Sequence, residues 1–444
     1  MAGNRVRTEE VVPAAARTVG SLRDIGYDLP RAVADLIDNS ITARASRVDV
    51  TLHFDGVDSW IRVADNGQGM DAATIQEAMR YGAARDYEAN DLGKFGFGLK
   101  TASTSQCRRV TVASRIAKQQ RRFEVRQLDL VHIERTNKWE VLVLEGDRRA
   151  PHLLEPLQKH PGTVVLWDDL DRVLDYRDPW GGWAQRRMLE LAAEIDEHLG
   201  MVFHRFLAGD VSGRKLAITV NGSRVTPWDP FCREERSTEE LPAKDLQVAS
   251  NHGLGIVRVR PFVVPTQQEF SSEAAWRRAS GPAKWNRQQG FYIYRANRLI
   301  QAGGGWNRLR TLDEHTKLAR VALEFFPDLD SAFGINIAKA YVRLPSELRA
   351  DLDSMVAQVA QRANQRYRSG ERDPASGGRA GGGRVGSRGR GRGSTGTRGG
   401  TRSGAAARRA LEEAASAVGE SDALKRIVRN LRSSDPEVAR ELGW

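Results

Sequence analysis

At 444 residues, with 40% hydrophobic and 28% charged residues, the chain holds enough apolar material for two or three domains with substantial cores. No run of eighteen or more apolar residues occurs, so no transmembrane helix is predicted. Residues 1–10 are polar and lack the apolar core of a signal peptide. Two cysteines, Cys107 and Cys232, exclude a disulfide framework or a cysteine-based metal cluster, and a cytoplasmic protein with no membrane partner is the simplest expectation. The net charge of +11 is unevenly placed: residues 374–409 hold nine arginines and no acidic residue.

In chain order, residues 8–24 read as a short helical arm. Pro30 suits the first turn of a helix, where its missing N–H costs little, and that helix runs to about residue 45 with Val33, Leu36, Ile37 and Ile41 on one face. Residues 47–54 alternate as a strand, and 60–64 form a second one that ends at Asp65-Asn-Gly. Asp71 suits the N-cap of a helix through residue 81. Residues 82–92 are polar and irregular, as in a lid, and a helix follows Gly98. Strands are predicted at 109–113, 123–130, 139–144 and 162–167. Hairpin-like runs outnumber strand–helix alternations, so the fold class is α+β with an antiparallel-leaning sheet.

Residues 183–207 read as one long amphipathic connector helix. A second domain over 211–368 has predicted strands at 216–220, 255–263, 290–295 and 320–326, and a closing helix over 345–367. Residues 369–403 are rich in Gly, Arg and Ser and bury too little apolar area to fold. Residues 405–443 regain a helical pattern in two short pieces. The resulting partition is 1–180, a connector at 181–210, 211–368, a disordered Arg/Gly linker at 369–404 and a helical segment at 405–444.

Several groups can carry chemistry. Asp35 and Asn39 lie four apart on one helix and share a face. A carboxylate can take a proton from water, and an amide oxygen can ligate Mg²⁺; alone, the pair reads first as an exposed polar helix face. Asp65 can accept from an exocyclic amine while Gly67 and Gly69 let a ring approach the backbone; alone, it also reads as an Asx turn. Gly93, Gly96 and Gly98 precede a helix whose backbone N–H groups suit phosphate oxygens. The Rossmann context is missing, because these glycines follow a polar loop instead of a strand.

In this order and spacing, Asp35–Asn39, Asp65–Met70 and Gly93–Gly98, followed by Gly162-Thr163, resemble the sequence boxes of the GHKL ATPase superfamily, which includes gyrase B, heat-shock chaperone, MutL and histidine kinase ATPases. The resemblance covers about residues 20–170. A second patch, with Asn221-Gly, residues 291–300 and 336–339, resembles the transducer domain of the MutL and MORC branch. It implies an N-terminal GHKL (Bergerat) sandwich, then an α/β transducer-like (S5-like) domain and the disordered Arg-Gly tail. It further implies ATP and Mg²⁺ as cofactors, with Asn39 on the metal and Asp65 on adenine. Gly67, Gly69, Met70 and Thr163 would surround the base. Gly93, Lys94, Phe95, Gly96, Phe97, Gly98 and Lys100 would line the lid and phosphates. Asp35 occupies the general-base position, where the family usually has glutamate, and Lys339 would contact the γ-phosphate.

The function so implied is a slow Mg-dependent ATPase acting as an ATP-gated homodimeric switch. The Arg-Gly tail suits DNA or RNA backbones without sequence preference. An ATP-binding adaptor without turnover is the alternative. A histidine kinase is disfavoured, since only about thirty residues precede the first box and His198 and His204 fall on the connector helix.

Overall fold

The computed structural model describes residues 9, 11–24, 27–81, 98–116, 122–145, 151–251, 253–282, 284–335 and 342–371, with Leu424, Val428 and Arg432, each helical, beyond them. The chain divides into two compact units, 1–375 and 376–444, and both β-sheets lie in the first. The helices expected over 405–443 lie otherwise outside the described residues, as does the tail at 372–423.

Alternating apolar residues build the first sheet. Its strands are β1 (Arg47–His53), β2 (Trp60–Asp65), β3 (Arg109–Arg115), β4 (Glu124–Asp129), β5 (Leu142–Val143), β6 (Gly162–Asp168), β7 (Ala217–Val220) and β8 (Ser223–Arg224), in the order β5-β4-β3-β6-β2-β1-β7-β8. All neighbours are antiparallel except β1 and β7, which run parallel with Val48 opposite Ile218. This corrects the sequence partition: the strand at 216–220 completes the first sheet instead of opening a second domain.

The period-2 pattern decides which face is which. Val48, Val50, Val63, Val110, Val112, Val165 and Trp167 face a helical layer and form one core with it. That layer comprises α1 (Ala15–Arg23), α2 (Leu29–Thr42), α3 (Ala72–Met79), α4 (Gly98–Thr104) and α5 (Leu130–Thr136). On the opposite face Ala64, Ala113, Val125, Val164 and Leu166 pack under α6 (Pro151–Lys159) through Leu153 and Leu157. Neither α5 nor α6 is apparent in the sequence. The strand expected at 139–144 shrinks to the two residues of β5, and the expected 183–207 helix is two, α7 (Gly182–Val202) and α8 (His204–Ala208), separated at Phe203. Phe203 is fully buried, so the core continues through the break.

The second sheet contains β9 (Glu239–Glu240), β10 (Lys244–Ser250), β11 (Gly253–Val263), β12 (Gly290–Arg295), β13 (Arg298–Ala302) and β14 (Ala319–Phe325), in the order β10-β11-β14-β12-β13 with β9 paired to β11. Two short helices, α9 (Glu273–Ala279) and α10 (Lys284–Gln288), interrupt the strand run, and α11 (Asp330–Phe333) follows β14. The closing helix α12 (Arg349–Glu371) lays Leu352, Met355, Val356, Val359 and Ala363 against one face of this sheet. On its other face Phe231, Phe262, Tyr292 and Tyr294 form a separate aromatic cluster. No helix among the described residues is long and apolar enough to cross a membrane.

Candidate nucleotide site

The site begins at the start of α2. Asp28 caps it by accepting from the Arg31 N–H at 2.9 Å, and Pro30 sits in the first turn. The helix is buried along most of its length, including Asp35 and Asp38. Asn39 is exposed amid these buried neighbours. A neutral amide oxygen at an open position fits a metal that keeps most of its ligands as water and phosphate oxygens. The described residues hold no cluster of three or more His, Cys, Asp or Glu that could cage a cation by itself. The exposed amide oxygen of Asn39 suits Mg²⁺ carried with a nucleotide.

Asp65 ends β2 at a turn held from several sides. Its Oδ1 accepts from the Gly67 N–H at 2.8 Å and from the Thr163 N–H at 3.2 Å, and its Oδ2 accepts from the Ser40 hydroxyl at 3.1 Å. Loss of water around the carboxylate pushes its pKa above the usual range, against the pull of those three donors. Ser40 belongs to α2, so the hydrogen bond to Asp65 ties the strand-end carboxylate to the helix that bears Asp35 and Asn39.

The turn after Asp65 is shaped by close backbone approach. Gly69 has φ +74, and a Cβ there would stand 2.2 Å from the Arg115 carbonyl oxygen. Met70 donates its N–H to the Ser114 hydroxyl at 2.8 Å, and Ser114 donates to the Gly162 carbonyl at 2.9 Å. That bond uses the only Ser114 proton, so Thr163, 3.0 Å away, is the donor in their contact. The Thr163 oxygen thereby keeps its lone pairs for a further donor beside Asp65.

Asp35 stands one helical turn before Asn39. Its Oδ2 accepts from the Tyr27 hydroxyl at 2.9 Å, and its Oδ1 lies 3.5 Å from Nη2 of Arg298. Burial and the neighbouring Asp35 charge push the Tyr27 hydroxyl pKa upward, so it stays a proton donor. Gly98, at the start of α4, would place a Cβ 3.8 Å from Asp35 Oδ2, which brings that helix against the same carboxylate. Lys100, two residues on in α4, is buried. It donates to the Ala78 carbonyl at 3.0 Å and lies 5.9 Å from the Tyr81 ring centre, and burial lowers its pKa to about 8.

The structure thus gathers Asp35, Asn39, Asp65, Gly67, Gly69, Met70, Gly98 and Thr163 around α2, β2, α4 and β6, whereas the Lys100 side chain turns to the Ala78 carbonyl and the Tyr81 ring. Gly93, Lys94, Phe95, Gly96, Phe97, the lid at 82–92 and Lys339 lie outside the described residues. Sequence reasoning missed Tyr27, Ser40, Ser114, Asp38 and Arg298; Asp38 and Arg298 lay within flagged stretches, the other three did not. His204 is fully buried and bonded to the Tyr294 hydroxyl at 2.9 Å, with its pKa lowered to about 3 by burial. His198 is likewise lowered to about 4.

Residues 27–160 match the family described as histidine kinase-, DNA gyrase B-, and HSP90-like ATPase. The chain is similar to Protein MICRORCHIDIA 7 of Arabidopsis thaliana, 27% identical over 154 residues, which is 31% of this chain and 22% of that protein. It is also similar to the DNA mismatch repair protein MutL of Shewanella baltica, 34% identical over 218 residues, and to that of Shewanella oneidensis, 33% identical over 218 residues. Those matches cover 47% of this chain and 29% and 30% of the two MutL proteins. The chain therefore spans under a third of the length of these relatives.

Proposed function

Since the chain carries an ATP-binding domain of the histidine kinase-, gyrase B- and HSP90-like ATPase family, on the MutL–MORC branch, we propose that it is a slow Mg-dependent ATPase working as an ATP-gated dimerising switch. The observation that carries this reading is the Ser40–Asp65 hydrogen bond. It couples a carboxylate suited to adenine to a helix that presents Asp35 and Asn39 together. Adenine would meet Asp65 and Thr163, with Gly67 and Gly69 allowing the ring close to the backbone. Asn39 would hold the metal, which would supply charge neutralisation on the phosphates when bound. Asp35 would orient and deprotonate the attacking water, and Lys339 would meet the γ-phosphate. The relatives named for DNA mismatch repair support nucleic acid as the target, and the Arg-Gly tail supplies the matching charge.

The alternative is an ATP-binding adaptor without appreciable turnover. It is favoured by the engagement of both Asp35 oxygens, by Tyr27 and Arg298, and by the shorter reach of aspartate. Phosphate release decides between them, measured on wild type, Asn39→Ala and Asp35→Ala with and without DNA or RNA. Release by wild type that both variants lose supports the switch. Tight ATP binding with no release above the variants establishes the adaptor.

A further inference from the structure

This inference rests on the hydrolytic reading and extends it within the same site. Strands β12 and β13 form a hairpin whose turn residues Ala296 and Asn297 are both left-handed, with φ of 46° and 70°. The tip does not stay with its own sheet. Ala296 packs against the core of the first sheet. Arg205 of α8 donates to Asn297 Oδ1 at 3.2 Å, pairs with Glu324 at 2.7 Å, and sets its guanidinium carbon 3.7 Å from the Tyr294 ring centre. The tip is thereby clamped, and Arg298, the first residue of β13, is carried with it against α2.

The Arg298 side chain is 5% exposed. Its Nε lies 2.8 Å from Asp38 Oδ2 and 2.9 Å from Oδ1, while Nη2 lies 3.5 Å from Asp35 Oδ1. The Phe203 ring centre is 5.9 Å from the guanidinium carbon. Asp35 and Asp38 are three apart and share a helix face, so one planar cation spans both. The contacts are unequal: Asp38 takes the short ones and Asp35 the long one. A general base has to keep a lone pair for the proton of water while staying ionised and aimed. Anchoring the guanidinium on Asp38 leaves Asp35 oriented, with Tyr27 fixing its other oxygen, and spares it a full bidentate pairing.

We propose that Arg298 is the positioning residue for Asp35. Asp38 anchors the guanidinium, its outer nitrogen sets the direction of the Asp35 carboxylate, and the second sheet reaches the hydrolytic site through this side chain. A purely structural Arg298 would do no more than neutralise Asp38, and that difference can be measured.

The full chain carrying Arg298→Gln, Arg298→Lys, or Arg298→Gln together with Asp38→Asn is compared with wild type for phosphate release and ATP affinity. Arg298→Gln is expected to lower kcat about 10- to 100-fold, as misplacement of a reacting group does, with ATP affinity within about twofold of wild type. Arg298→Lys should regain part of kcat, because it restores charge without the planar fork. The double variant removes the cation with its main counter-charge, so it carries the test if Arg298→Gln does not fold; its kcat should stay low. A double variant that recovers wild-type kcat, or an Arg298→Gln enzyme as fast as wild type, overturns the proposal while leaving hydrolysis intact. A wild type releasing no more phosphate than Asp35→Ala defeats the hydrolytic reading and this inference with it.

Discussion

Replacing Asp65 by Asn changes one oxygen for one NH₂ and should separate recognition from folding. The amide Oδ1 can still accept from the Gly67 and Thr163 N–H groups, which now sit at 2.8 and 3.2 Å. Its new Nδ2 can donate to the Ser40 hydroxyl oxygen, which now donates to Asp65 at 3.1 Å. The turn therefore keeps its hydrogen bonds. Adenine does not, because its exocyclic N–H would meet a donor where a carboxylate stood. A hydrogen bond to a charged group contributes about 1.5–3 kcal/mol, so ATP affinity should fall about 10- to 150-fold. The sign on stability is opposite. The Asp65 pKa is raised by desolvation, so the folded state holds its proton more tightly than the unfolded chain does. The associated stability is full below the unfolded pKa and is lost as pH rises through the folded one. At neutral pH the nucleotide-free Asn variant should thus melt at or above the wild-type temperature, and the difference should shrink on acidification. Calorimetric titration with ATP and thermal melts across pH check both halves. Unchanged ATP affinity in a folded variant would refute the adenine role. A large loss of nucleotide-free stability would refute the claim that the turn keeps its hydrogen bonds.

Asn39→Ala should leave the melting temperature within the scatter of surface substitutions, about 0.5 kcal/mol, since the side chain is exposed, while removing the Mg²⁺ dependence of ATP binding in a titration with and without the metal. Gly69→Ala should cost about 2–6 kcal/mol in urea unfolding: about 1–3 for a left-handed alanine and about 1–3 for overpacking against the Arg115 carbonyl 2.2 Å from the new methyl. By contrast Gly98→Ala, whose Cβ would first meet Asp35 Oδ2 at 3.8 Å, should lose no stability in the same assay. Deleting 374–409 removes nine arginines and should weaken DNA or RNA binding and flatten its dependence on salt, with ATP affinity unchanged; equal binding by the truncated chain would move the nucleic-acid contact into the folded part.

What the sequence made legible was local. Pro30 announces the start of α2, alternation announces β1 and β2, and Asp71 caps α3 by accepting from the Thr74 N–H at 2.7 Å. Gly69 reads as leaving room for a ring beside the backbone, and it lies at positive φ. What it did not show was distance along the chain. Thr163 reaches Asp65 across 98 residues, Met70 reaches Ser114 across 44, and Arg298 reaches Asp35 across 263. No periodicity encodes such pairings, because each depends on how whole elements stack. Helix α6 escaped notice for another reason: Pro156 lies inside it, and proline reads as a breaker unless tertiary packing holds the turn. Packing of Leu153 and Leu157 under the sheet provides that hold.

The boundary between the nucleotide-binding part and the second sheet is where local reading and structure disagree most, and the disagreement bears on mechanism. A hinge in the connector at 181–210 would let everything after it swing as one body. The structure argues against that placement. Leu191, Ile195, Leu199, Phe206, Ile218 and Val220 belong to the same core as β1 and α2. Strand β7 pairs along β1, Thr219 donates to Asp49 at 2.7 Å, and Asn221 accepts from the Leu52 N–H at 2.8 Å. Moving the connector would tear the sheet that carries Asp65. The ties continue past β8, where the Val225 N–H donates to the Ile218 carbonyl at 2.9 Å and the Trp228 N–H to the Gly200 carbonyl at 3.0 Å, so any motion of the second sheet relative to the first has to arise beyond residue 228. The hairpin tip at Ala296, Asn297 and Arg298 is then the place where that motion meets α2. An ion pair that sits 5% exposed or less on both partners tolerates little sliding, because a buried charge that loses its partner is costly. It suits a contact with two discrete states, engaged and released, better than one that yields gradually.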